Sequence, residues 1–257
     1  MTEELLAKAL YIVPTPIGNL QDITARAVAV LKAADVICAE DTRHSMPLLT
    51  AIGVTAPKLI SFHDHNEAEK AASIVSLIES GQSVALISDA GTPLISDPGY
   101  HLAAACAQSG VKVIPLPGPC AAITALSAAG LPTDRFSFEG FLPVKEKALR
   151  EKIISVAENP GTVIFYEAPR RIIDTVKIMA EILGTRDLVI ARELTKTFET
   201  FYRSPAVEME ATLKADPNYE KGEMVVLVAP FRMDAAAQDE VPQEALQLLK
   251  LLTKELP

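Results

Sequence analysis

The chain has no tryptophan, and aromatic residues make up only 5% of its 257 positions. A protein that grips single-stranded nucleic acid mainly by stacking bases on aromatic rings needs more of them than this. Cysteine is also scarce. Cys38, Cys106 and Cys120 are far apart, odd in number and free of C-x-x-C spacing. Such a set supports neither a disulfide framework nor a zinc site and suits a reducing cytoplasm. No apolar run approaches the roughly 18 residues that cross a bilayer, and Met1-Thr2-Glu3-Glu4 is acidic where a secretory signal is basic. A soluble cytoplasmic protein with no membrane partner is expected. Positive charge is lacking as well. The formal net charge of -9 weighs against a general nucleic-acid binder, because phosphate neutralisation needs clustered Lys and Arg. Basic residues outnumber acidic ones only over 140–203, by eleven to nine, against eight to fourteen over 1–139 and five to ten over 204–257.

What is present is apolar and periodic. At 49% hydrophobic composition the chain can fill two ordinary cores. Short apolar runs at 10–13, 36–39, 58–62, 84–88 and 111–116 alternate with helix-period stretches, the pattern of a mostly parallel sheet covered by helices. Within 66–80, Ala71, Ile74, Leu77 and Ile78 share one helical face. The turn-rich stretch Leu131-Pro132-Thr133-Asp134 interrupts this alternation. Beyond it, runs at 136–141, 162–166, 188–191, 200–202 and 224–229 predict a second, mixed α/β domain, with a helix over 171–183. The expected organisation is an α/β domain over 1–130, a mixed α/β domain over 131–230, and a tail over 231–257 with a short helix at 244–252.

In an open α/β sheet, ligands bind beyond the carboxyl ends of the strands, so the loops there carry the candidates. Pro14-Thr15-Pro16-Ile17-Gly18-Asn19-Leu20 follows the first strand, with prolines to stiffen it and Gly18 to permit close approach; a rigid turn explains it equally well. The loop from Asp89 to Gly99 offers a fixed array of N–H and C=O groups, suited to a small molecule carrying an ammonium and a carboxylate. It contains neither G-x-G-x-x-G nor G-x-x-x-x-G-K-[ST], so a dinucleotide or a nucleoside triphosphate is not indicated. Pro115 to Ala122 leads into a small-residue helix whose N-terminus favours a carboxylate, although Pro119 is also ordinary helix-start chemistry. Glu40-Asp41-Thr42-Arg43 and His63-Asp64-His65-Asn66 follow the second and third strands. The latter reads first as a loop with Asp64 or Asn66 capping a helix, and two histidines without further ligands do not make a metal site.

Taken in order, these loops together with Phe138-Glu139-Gly140-Phe141-Leu142-Pro143 and Ala191-Arg192-Glu193-Leu194-Thr195-Lys196 resemble the 16S ribosomal RNA cytidine 2'-O-methyltransferases of the tetrapyrrole methylase superfamily. The resemblance runs from Leu10 to Ala229. It implies two α/β domains, a homodimer, and S-adenosylmethionine held in an interdomain cleft. By that resemblance Gly91, Thr92, Pro93 and Ile95 attend the methionine end, with Cys120 and Ala121 beside them, and Pro16 and Asp89 are further cofactor-binding candidates. Tyr166, Ala191, Glu193, Leu194, Glu223 and Met224 approach the adenosine. The implied substrate is a cytidine in 16S rRNA of the small ribosomal subunit. A ribose hydroxyl needs a base to take its proton, for which Glu40, Asp41, His63 and His65 are the candidates. Arg43, Asn66, Lys145, Arg170, Arg171 and Arg203 are candidate RNA contacts, although Lys145 to Lys152, interleaved with acids, also reads as a solvated helix face. The chain departs from its relatives at Ala168 and Arg170, where they usually carry Ser and His. They also commonly continue into a helical module beyond the position of Pro257, so a truncated tail is expected. A tetrapyrrole or diphthamide-type acceptor and a non-catalytic ribosome-docking module are the competing readings.

Overall fold

The computed structural model describes residues 6–55, 58–63 and 66–232. Asp64, His65 and the predicted tail helix lie outside the described residues. The first lobe runs β1 (Leu10–Ile12), α1 (Ala25–Ala33), β2 (Val36–Ala39), α2 (Thr42–Ala51), β3 (Leu59–Ser61), α3 (Glu67–Glu79), β4 (Val84–Ile87), α4 (Tyr100–Gln108), β5 (Val113–Pro115) and α5 (Ala121–Ala129). Its five strands pair in the order β3-β2-β4-β1-β5, all parallel.

Because side chains alternate across a strand, each central strand feeds two cores. Tyr11, Ile37, Ala39, Ala85 and Ile87 pack with α1 and α2 on one face. Leu10, Ile12, Val36, Cys38, Val84 and Leu86 pack with α3 and α4 on the other. This two-sided burial is why the strands are continuous apolar runs. The buried face of α3 is built from Ala71, Ile74, Val75 and Ile78. Val75 is buried where the periodicity had placed Leu77, which is half-buried.

The second lobe contains β6 (Phe136–Phe141), α6 (Glu146–Val156), β7 (Thr162–Glu167), α7 (Ile172–Leu183), β8 (Asp187–Arg192), β9 (Thr200–Pro205), α8 (Ala206–Lys214) and β10 (Met224–Val228). The strand order is β6-β7-β10-β8-β9. β6 and β7 are parallel; β10 enters antiparallel between β7 and β8, and β9 is antiparallel to β8. One face of this sheet packs on α6, α7 and α8 through Leu149, Ile153, Phe165, Val176, Met179, Met209 and Val226.

The opposite face is covered by a helix of the first lobe. Ala122, Ala125, Leu126 and Ala129 of α5 pack on Ile164, Val189, Ala191, Val225 and Leu227. Small residues let the helix lie close to the sheet. Gly130, in the left-handed region at φ 77°, ends the helix. The expected boundary near residue 130 falls directly after α5, yet the apolar stripe of that helix is spent on the second sheet. This contact sets the distance between the lobes and so the width of the cleft. Among the described residues no helix is long and apolar enough to cross a membrane.

Candidate active site

A cavity of about 340 Å³ opens between the lobes at the carboxyl ends of the first-lobe strands. Three loops of that lobe are sewn together to make its floor. Thr15 and Gly91 exchange main-chain hydrogen bonds of 2.8 and 3.0 Å. The buried Thr15 hydroxyl donates to the Ser88 carbonyl at 3.2 Å, and Thr92 Oγ1 donates to the Pro119 carbonyl at 2.7 Å. These bonds tie the loops after β1, β4 and β5 to one another. Gly91 has a φ of 87°, which a side chain at that turn would strain. Leu94 and Ser96 adopt φ of 73° and 66° in the same loop. Non-glycine residues hold such angles only where their surroundings over-determine them, a pattern common at ligand sites.

The second lobe supplies the facing wall through the ends of its strands. Tyr166, at the end of β7, accepts a hydrogen bond from the Ala122 amide at 3.2 Å and packs edge-on against Phe138 and Phe141. Burial, reinforced by neighbouring Cys120, pushes its phenol well above the usual range, so it stays protonated. Beside it, the buried carboxylate of Glu167 accepts from Thr175 Oγ1 and from the Ala168 amide, each at 2.6 Å, and lies 3.3 Å from Arg171.

The turn after β8 is held by a compact charged cluster. Glu193 and Thr195 have positive φ. Lys196 donates to Glu193 at 2.8 Å and to Glu223 at 3.1 Å, and the Glu223 amide donates to Glu193 at 3.1 Å. Gly222 has a φ of 86°, which strains any side chain, and a Cβ there would also push the Glu193 carboxylate out of its place. Burial pushes the Glu193 carboxyl up, but the Lys196 ammonium and the Glu223 amide outweigh it and hold the group below its ordinary value. The stem of Lys196 reaches across to Gly18 of the first lobe, so this cluster also closes one side of the cleft.

The predicted residues divide clearly between those on the cavity wall and those off it. Glu40, Asp89, Gly91, Thr92, Ile95, Cys120, Ala121, Tyr166, Leu194, Glu223 and Met224 line the cavity. Pro16 lines a neighbouring concavity instead. Pro93 is turned inward within its loop, Ala191 is fully buried against α5, and Glu193 acts from behind as the partner of Lys196 and the Glu223 amide. Of the base candidates that are described, only Glu40 lines the cavity. Asp41 caps α2 by accepting from the Arg43 amide at 2.8 Å and also pairs with the Arg43 guanidinium. His63 and Asn66 bond to one another, Asn66 Oδ1 accepting from the His63 amide at 3.0 Å, and shape the turn into α3.

The candidate RNA contacts divide in the same way. Arg43, Lys145 and Arg170 are exposed. Arg171 donates to the Leu142 and Pro143 carbonyls, and Arg203 donates to the Ala128 and Ala129 carbonyls at the end of α5. Both guanidiniums are thus committed to holding the backbone. Several wall residues were not singled out from sequence: Ile17, Ala90, Ser96, Asp97, Phe141, Glu167, Ala168, Pro169 and Val225. All lie in or beside stretches that stood out, but their individual aim depends on backbone geometry that residue types do not encode.

The chain matches the Tetrapyrrole (Corrin/Porphyrin) Methylases over residues 9–210. It is 56% identical over 252 residues to Ribosomal RNA small subunit methyltransferase I of Vibrio cholerae, covering 98% of this chain and 86% of that protein. It is 53% identical over 249 residues to the protein of the same name from Escherichia coli O157:H7, covering 96% and 86%. Among solved structures, the methyltransferase CobJ superposes with a TM-score of 0.64 at 20% identity over 88% of this chain and 96% of that one. A diphthine synthase superposes with a TM-score of 0.64 at 14% identity over 86% and 89%. At such identities the two structures speak for the fold alone.

Proposed function

Because this chain belongs to the tetrapyrrole methylases and, within them, to the ribosomal RNA small subunit methyltransferase I family, we propose that it methylates a cytidine ribose 2'-hydroxyl of 16S rRNA in the small ribosomal subunit, with S-adenosylmethionine as donor. The observation that carries this reading is the placement of Glu40 on the wall of the interlobe cavity, beside the stitched loops, where the neighbouring Asp41 amide donates to Asp89 at 3.2 Å. The residues present fit the donor. Asp89 and Asp97 offer carboxylates for an ammonium or ribose hydroxyls, and Ile17, Ala121, Leu194 and Met224 offer apolar contact for the methionine methylenes and the adenine. The volume of about 340 Å³ falls at the lower end of small-ligand sites, which run from ~300 to ~1,000 Å³.

Bound there, S-adenosylmethionine supplies an electrophilic methyl group. The protein's own share is alignment and proton removal. Holding acceptor and donor in line in a cleft closed to water lowers the barrier by several kcal/mol, and the α5–sheet contact fixes that alignment. Glu40 takes the proton of the ribose hydroxyl as its oxygen attacks. Tyr166, kept neutral, contributes packing and its bond to Ala122 rather than base chemistry. Arg43, Lys145 and Arg170 meet RNA phosphates in this reading, which gives binding a strong salt dependence despite the acidic net charge. Cytoplasmic action and a homodimer, which would cover exposed apolar residues such as Tyr100, Val144 and Phe198, belong to the same proposal.

The test is methyl transfer in vitro from radiolabelled donor to unmethylated small subunits, with nucleoside mass spectrometry of the product and uroporphyrinogen as the competing acceptor. One 2'-O-methylcytidine per subunit is expected. Label on the macrocycle and none on RNA would reverse the assignment.

A further inference from the structure

A second concavity of about 320 Å³ adjoins the cavity just described, and Asp89 lies on the wall of both. One side is the loop after β1, through Pro16, Gly18 and Leu20; the other is α2, through Ser45, Pro47 and Leu48. The walls are largely apolar, and Leu20 is 45% exposed at the edge. Among the described residues Ser45 Oγ has no hydrogen-bond partner, but it is itself shielded from the hollow, and His44 is the polar side chain that α2 exposes on this wall. In the first turn of the same helix, Arg43 extends a side chain that is 92% exposed.

We propose that this second concavity is the acceptor subsite, and that it receives one unstacked pyrimidine nucleotide of the RNA. The base lies between the Pro16–Leu20 loop and the Pro47–Leu48 side of α2, where apolar surface covers its faces. His44 meets a polar edge of the base. The ribose sits at Asp89, where the two cavities meet, and so within reach of the methyl donor on one side and Glu40 on the same wall. Arg43 receives an adjoining phosphate. This geometry requires the nucleotide to leave its helix or loop stack, since a stacked residue cannot bring its sugar into a recess, and enzymes acting on nucleotides extrude them for this reason. A space of this size takes one nucleotide and leaves a four-ring macrocycle outside.

The inference rests on the methyl-transfer reading above, and its test separates the two. Ala51 lies at the exposed end of α2 on the wall of the concavity, and Leu48 is half-buried one turn earlier. Ala51→Trp and Leu48→Trp fill the space from the surface without entering the donor cavity. For each variant and the parent, affinity for S-adenosylhomocysteine is measured by calorimetry, and kcat/KM for unmethylated small subunits by label transfer. Affinity for S-adenosylhomocysteine within twofold of the parent is expected, with kcat/KM lowered by about 10²-fold, the scale of a displaced acceptor. His44→Ala should raise KM for subunits and leave S-adenosylhomocysteine binding alone. Parent-level transfer by both tryptophan variants overturns the subsite, as does loss of S-adenosylhomocysteine affinity in both. Absence of transfer by the unsubstituted parent overturns the function itself and removes the subsite with it.

Discussion

In the first lobe the strands that reach the cleft are three or four residues long, and the loops after them form the floor of the site. In the second lobe the strands are five or six residues long and run up to the cavity themselves, so that Tyr166, Glu223 and Met224 meet it directly. A short parallel strand buried on both faces has no side chain to spare for a ligand, so chemistry moves into its loop. A mixed sheet with one face turned to the partner lobe can use its strand ends as a wall. In the proposed function the first lobe carries the reacting groups, while the second carries packing and position.

The sharpest challenge to that division is Glu40→Gln. Loss of a general base lowers kcat by about 10²–10⁴-fold, while calorimetric affinity for S-adenosylhomocysteine stays near that of the parent. Retained turnover would place the base elsewhere, with Asp89 next in line. The second challenge concerns α5, which belongs to the first lobe by chain order and to the second by packing. Leu126→Ala removes a buried side chain from the interlobe core and should destabilise the protein by about 2–5 kcal/mol. Scanning calorimetry should still show one shared transition. Two separated transitions, with the first lobe unaffected, would mean that α5 does not couple the lobes.

The smallest effect concerns pH. Because the folded Glu193 carboxyl titrates below its ordinary value of 4.5, its ion pair with Lys196 contributes fully above that value. The contribution fades as pH falls through the lower folded value. Melting temperature should therefore hold steady down to the ordinary glutamate range and then decline, and Glu193→Gln should flatten the decline. An unchanged acid limb in that variant would assign the acid sensitivity to other carboxylates.

The arrangement of ten apolar runs into two α/β lobes was legible in the sequence because burial imposes periodicity, and periodicity survives in residue order. The loops at 14–20, 89–99 and 115–122 were legible because turns with unusual backbone need glycine and proline. Less legible was the fate of charged side chains. Arg171 and Arg203 read as free cations, but each guanidinium is occupied by backbone carbonyls brought from 28 to 75 positions away in the chain. Asp41 and Glu40 are neighbours of the same chemical class, and only the start of α2 decides that one caps a helix while the other faces the cavity.

Residue order alone determined the fold class, the family and the stretches where chemistry gathers, since hydrophobic spacing and turn residues are local properties of the chain. Tertiary structure decided which carboxylate lines the cavity, that α5 roofs the opposite sheet, and that a second hollow shares Asp89 with the first. Those outcomes depend on contacts between distant segments, and no local pattern encodes where a side chain from one segment will find the backbone of another.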